Sequence, residues 1–244
     1  MSAAALLAVD ELYAAYQPGV DILQGLSLAV RPGSLTLVIG PNGAGKSTLL
    51  RAIFGFLKPH GGAIRFLEQS ALGLQPYQVK ALGISYVPQE INTFPSLTVE
   101  ENLRMGGWTL RKDKLRLAAQ IDKLYGIFPV LAERRKTRAG DLSGGQGRML
   151  SVAREMMTDP KLMLVDEPTA GLAPNLVDQV YELLRTARRS IGATILLVDQ
   201  NIEEAIPHAD YVYMVNLGRI KAEGPPAEFA SARVRALIQE CLLG

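Results

Sequence analysis

The stretch "LTLVIGPNGAGKSTLL", Leu35 to Leu50, decides the fold class. It opens as an apolar, β-branched run of strand length, with Ser34 to Ile39 predicted extended, and it closes on a helical pattern. Between the two lie Gly40, Pro41, Asn42, Gly43, Ala44, Gly45, Lys46, Ser47 and Thr48. Glycines at these spacings let backbone N–H groups wrap phosphate oxygens, and the helix start that follows adds positive potential. Lys46 can then reach β and γ oxygens, while the Ser47 hydroxyl can ligate Mg²⁺. A glycine-rich turn with no ligand has no structural need for Lys-Ser directly after its last glycine.

Further strand-like runs fall at Ile84 to Val87, Lys161 to Val165, Thr194 to Val198 and Tyr211 to Val215. Helical patterns such as Leu176 to Ser190 separate them, which argues an α/β fold with a mainly parallel sheet. The first 33 residues and Ala63 to Phe66 read as short strands of an antiparallel flank. From Thr98 to Pro160 the pattern is mostly helical, an insertion between strands of the core. Within it "ERRKTR", Glu133 to Arg138, reads as a solvated loop at a helix end.

A phosphate loop needs a carboxylate at the end of a second strand, and "KLMLVDEP" supplies two. Asp166 is placed to hold the Mg²⁺ shell, and Glu167 to act as general base or to orient water against the γ-phosphate. To this point a kinase, a GTPase or a motor ATPase fits equally well. "DLSGGQGRMLSVAREM", Asp141 to Met156, discriminates among them. Ser143, Gly144, Gly145 and Gln146 open an amphipathic helix with a hydroxyl, flexible amides and a dipole end, a second half-site for phosphate. Elsewhere "ATILLVDQN" ends an apolar run in Asp199, Gln200 and Asn201; the outer two suit turns and caps, whereas Gln200 has no such ordinary use.

The 244 residues suffice for one large α/β domain, and 26 basic against 24 acidic residues leave no field of the kind that marks a nucleic-acid binder. The single cysteine, Cys241, cannot form an internal disulfide and suits a reducing compartment. No apolar run approaches the ~18 residues of a membrane span, and the start lacks the basic region of a signal peptide.

From Leu7 to Glu228 these motifs, in this order, resemble the ATP-binding cassette (ABC) ATPases. The resemblance implies a P-loop NTPase core over 1–90 and 158–228 with an antiparallel β flank, an inserted helical subdomain over 91–157, and a tail over 229–244. It also implies ATP and Mg²⁺ as cofactors and head-to-tail pairing, in which the Leu142 to Gln146 signature of one subunit closes over ATP on the other. Gln89 matches the glutamine that links Mg²⁺ and the attacking water to the helical subdomain. Tyr16, three residues after Tyr13, aligns with the aromatic that stacks on adenine.

Two positions depart from the commonest family pattern. Ala173 stands where most members carry aspartate, and Gln200 where most place the histidine that contacts the γ-phosphate. The two histidines, His60 and His208, sit in connections away from that strand end and read as structural or exposed. With "DEPTAGLAP" and "NTFPSLTVEENL", these departures resemble the branched-chain amino acid uptake branch, including its amide and urea relatives. That resemblance implies an importer at the cytoplasmic face of the bacterial inner membrane. Its expected partners are a second ABC ATPase subunit, paralogous or identical, two integral membrane permease subunits and a periplasmic solute-binding protein, with no nucleic acid. A ribosome- or DNA-acting ABC ATPase and a small-molecule kinase remain the rival classes.

Overall fold

In a computed structural model, residues 5–172 and 174–229 are described, so Ala173 and Cys241 lie outside the described residues. Among the described residues ten strands form two sheets. The flank is antiparallel, ordered β2–β1–β4–β5, from β1 (Leu7–Gln17), β2 (Val20–Val30), β4 (Gly61–Phe66) and β5 (Gln69–Ser70). The central sheet is ordered β10–β9–β3–β8–β7–β6, from β3 (Leu35–Ile39), β6 (Ile84–Val87), β7 (Leu162–Asp166), β8 (Thr194–Val198), β9 (Tyr211–Asn216) and β10 (Arg219–Gly224). All its neighbours run parallel except the β9–β10 hairpin.

The apolar runs are continuous because this sheet is covered on both faces. Leu37, Ile39, Met163, Val165, Ile195 and Leu197 pack under the helices, whereas Val38, Leu164, Leu196 and Val198 alternate with them to face the flank. On the flank side lie α1 (Lys46–Phe54) and α2 (Pro76–Leu82). The helical layer comprises α3 (Val99–Gly106), α4 (Lys114–Ile127), α5 (Pro129–Glu133), α6 (Gly144–Met156) and α7 (Pro174–Ile191), followed by the short α8 (Ile202–Ala205) and α9 (Pro226–Phe229). Arg134 to Lys136 follow α5 as an exposed turn.

Two expectations need correction. The first two strands are not short: each has eleven residues, and β1 changes register between Val9 and Leu12, where Glu11 takes a φ of +42°. Such a bulge breaks the two-residue alternation that a strand is read from. The sequence reading also left out β10, an edge strand whose side chains are mostly exposed or half-buried. It turns back from β9 through Leu217 and Gly218 at φ values of +48° and +72°, the left-handed pair that a tight hairpin needs. A Cβ on Gly218 would lie 2.1 Å from the Ile22 carbonyl oxygen. The Gly218 N–H instead donates to Ala44 O at 2.9 Å, and Gly218 O accepts from the Gln24 N–H at 3.0 Å, so this turn braces the phosphate loop against the flank.

Candidate active site

β3 has β9 on one side and β8 on the other, and the glycine-rich loop leaves its carboxyl end, the place where open α/β sheets bind ligands. The loop is pressed close to β9: a Cβ on Gly40, at φ +154°, would stand 2.1 Å from Val215 O. Beyond it Asn42, Gly43, Gly45, Lys46, Ser47 and Thr48 wall a cavity of about 260 Å³ together with Tyr16 and Glu167. Tyr16 is 54% exposed at its rim, while Tyr13 packs beside His60, with ring centres 6.2 Å apart.

The Lys46 side chain is buried and folds back on the loop, its Nζ donating to Gly40 O at 2.9 Å and Pro41 O at 3.1 Å. Glu167 Oε1 is 3.7 Å from that nitrogen, too long for a tight ion pair. Burial dominates both groups: it lowers the Lys46 pKa and raises that of Glu167, and their mutual attraction opposes both shifts without cancelling them. Glu167 also holds a φ of +41°, a left-handed conformation costly for a residue with a side chain, and its N–H is pinned to Val198 O at 2.8 Å. Strain of that kind sets the carboxylate where β7 meets the cavity.

Asp166, at the end of β7 and 3% exposed, accepts from Ser47 Oγ at 2.8 Å on Oδ1 and from the Tyr86 hydroxyl at 2.8 Å on Oδ2. A hydroxyl and a carboxylate converging beside a phosphate loop are the oxygen donors a hard divalent cation takes. Among the described residues no group of three or more His, Cys, Asp or Glu side chains is placed to hold a metal by itself.

The other candidates stand apart from the cavity wall. Ser143 caps α6 through a reciprocal box with Gln146, and Ser143 and Gly144 are exposed. Gln89 is exposed in the segment joining β6 to α3, and that segment is tied to α6. Arg148 donates to Pro88 O at 3.1 Å and Gln89 O at 2.6 Å, Ser151 Oγ accepts from the Asn92 N–H at 3.3 Å, and Arg154 donates to Asn92 O under the Phe94 ring. Burial lowers the pKa of both arginines. Gln200 is exposed two residues beyond Val198, which pairs with Val38 of β3 and Asp166 of β7. A larger hollow of about 360 Å³ lies instead at the opposite strand ends, by Gly33 and Ala193. Its Arg188 is already held by Gly33 O and Asp210.

Residues 23–170 match the family described as ABC transporter. The chain belongs to that family. It is an ATP-binding cassette ATPase and binds ATP. The cassette is 40% identical over 215 residues to the high-affinity branched-chain amino acid transport ATP-binding protein BraG of Pseudomonas aeruginosa, covering 88% of this chain and 91% of that one. It is 36% identical over 223 residues to the probable branched-chain amino acid transport ATP-binding protein LivF of Archaeoglobus fulgidus, covering 91% and 93%. A crystal structure of the ADP conformation of an ATP-binding cassette of an ABC transporter superposes with a TM-score of 0.86 at 29% identity, covering 99% of each chain. No helix among the cassette's described residues is long and apolar enough to cross a membrane.

The sequence reading missed Tyr86, Arg148, Arg154 and the part played by Asp199. Only Arg148 and Arg154 carried a signal, as cations on what the helical pattern makes the inner side of α6.

Proposed function

We propose that the cassette is the ATP-hydrolysing subunit of a branched-chain amino acid importer, peripheral to the cytoplasmic face of a bacterial inner membrane. The separation of its two phosphate-binding halves carries the reading. The loop cavity is complete on one side, whereas the Ser143–Gly144 helix start is exposed and outside it, as expected if each signature serves the ATP on a second ATPase subunit. The names of the BraG and LivF relatives favour branched-chain amino acids as the cargo.

In this reading Tyr16 stacks on adenine, the amides of Gly40–Gly45 and the Lys46 ammonium bind phosphates, and Ser47 and Asp166 hold Mg²⁺. Mg²⁺, when bound, neutralises developing phosphate charge. Glu167 takes a proton from the attacking water, and Gln200 donates its amide to a γ-phosphate oxygen. Gln89 rides on α6 through Arg148, so closure at the cavity is passed to the helical subdomain, residues 91–157, set within the core of 1–90 and 158–228. Exposed Phe94, Met105 and Trp108 give that layer apolar surface for two membrane permease subunits, which a periplasmic binding protein would supply with solute.

Affinity purification from native membranes tests the assignment: two hydrophobic subunits and a second, similar ATPase are expected, and ribosomes or DNA in their place would overturn it. Within the site, Gln200→Ala is expected to lower ATP turnover roughly 10²-fold, as for the loss of one hydrogen-bond donor to transition-state charge. Gln200→His should stay within a few-fold of the parent, and an unchanged alanine variant in a steady-state phosphate-release assay would return Gln200 to a loop residue.

A further inference from the structure

Arg51 projects from α1 and donates through Nη1 to the Tyr16 hydroxyl at 3.2 Å. The same guanidinium interacts with the Tyr86 hydroxyl, and both tyrosines favour its charged form. Tyr86, on β6, packs against Phe54 and Phe56, each with its ring centre 5.4 Å away. Its hydroxyl reaches Asp166 Oδ2 at 2.8 Å, while Ser47 takes Oδ1. Hydrogen bonds thus hold Arg51 to the Tyr16 hydroxyl and Tyr86 to the Asp166 carboxylate, with the Arg51 guanidinium near the Tyr86 hydroxyl.

We propose that Tyr86 and Arg51 are positioning residues: Tyr86 holds Asp166 Oδ2 so that Oδ1 faces the metal position with Ser47, and Arg51 ties that orientation to the Tyr16 rim. The inference rests on the reading of Asp166 as a metal-holding group. A carboxylate left free to rotate presents either oxygen, and fixing one oxygen with a neutral donor removes that freedom before the metal arrives. A tyrosine suits the task because its ring is clamped by aromatics that do not depend on its hydroxyl.

Tyr86→Phe keeps the packing and removes only the donor. Mn²⁺ binding to the ADP-loaded protein, read by electron paramagnetic resonance, is expected to weaken about 10-fold, the usual cost of losing an outer-shell partner. Binding of a fluorescent ADP analogue without metal should stay within 2-fold of the parent. Arg51→Met should weaken both nucleotide and Mn²⁺ binding, and its effect on Mn²⁺ should be less than additive with Tyr86→Phe. Asp166→Asn separates the two layers of the argument. If it leaves Mn²⁺ affinity unchanged, the metal reading itself falls. If it abolishes Mn²⁺ binding while Tyr86→Phe binds Mn²⁺ like the parent, the positioning proposal falls and the metal reading stands. A Tyr86→Phe loss that is equal with and without metal would also overturn it, as a packing defect.

Discussion

Replacing Glu167 by Gln is expected to lower the turnover number for ATP roughly 10²- to 10⁴-fold, the range for loss of a general base, while ATP-dependent pairing survives. The substitution is close to isosteric, and the strained φ of +41° and the N–H bond to Val198 O are backbone features that it leaves in place. Only the ability to accept a proton goes. Its weak pairing with Lys46 matters here, because a tight ion pair would spend the carboxylate's basicity on the lysine. At 3.7 Å, with Lys46 held by two loop carbonyls, Glu167 keeps a lone pair for water. Burial raises its pKa above the ordinary glutamate range, so it is a better base than an exposed carboxylate. The sign of the pH effect follows. In the proposed role Glu167 works ionised, so turnover should fall as pH is lowered through that elevated pKa, at a higher pH than an unperturbed glutamate would give. The residual activity of Glu167→Gln should lack that limb. A variant with parental turnover, or an acid limb that persists in it, would remove Glu167 as the base.

What could be read from residues alone divides along a physical line. The placement of the glycine-rich loop, Asp166 and Glu167 at strand ends was legible because each is a local pattern, a strand running into residues whose chemistry is unusual there. β3, β6, β7 and β8 were legible because they are almost wholly buried, which keeps their residues mostly apolar. β10 and the true length of β1 were not, since an edge strand and a bulged one both lose the alternation that betrays a strand. Tyr86 was invisible for another reason: 80 positions separate it from Asp166, and only the pairing of β6 with β7 brings them together. In the same way, nothing in "VPQEINTF" says that Arg148 and Arg154 will grip its carbonyls. Asp199 looked like an ordinary turn residue, and its surroundings give it a different role.

Asp199→Ala is expected to destabilise the cassette by about 3–5 kcal/mol, the cost of emptying a fully used buried acceptor. The side chain is fully buried. Its Oδ1 accepts from the Gln200 N–H at 2.8 Å, the Asn201 N–H at 3.0 Å and Thr169 Oγ1 at 2.9 Å, and Oδ2 from the Tyr181 hydroxyl at 3.2 Å. Asn201, expected as a turn or cap residue, makes no side-chain cap; its Nδ2 donates to Thr169 Oγ1 at 2.8 Å and closes the network. Alanine would strand two amides and two hydroxyls at the tips of β7 and β8, lowering Tm by roughly 6–20 °C for a domain of this size. Turnover should fall as well, because Gln200 is held at the strand tip through the Asp199 carboxylate. Asp199→Asn is the informative companion, since its carbonyl can still accept from both amides while its NH₂ donates to a hydroxyl free to turn. Burial raises the Asp199 pKa against the pull of those donors. The folded state therefore favours the protonated acid, and the stability this contributes is complete below the unfolded value near 3.8 and lost as pH rises through the elevated one. Asparagine has no such titration. Its Tm relative to the parent should thus climb between acid and neutral pH, and a difference that is flat or falls with pH in calorimetry would show that the hydrogen bonds, not burial, set the charge of Asp199.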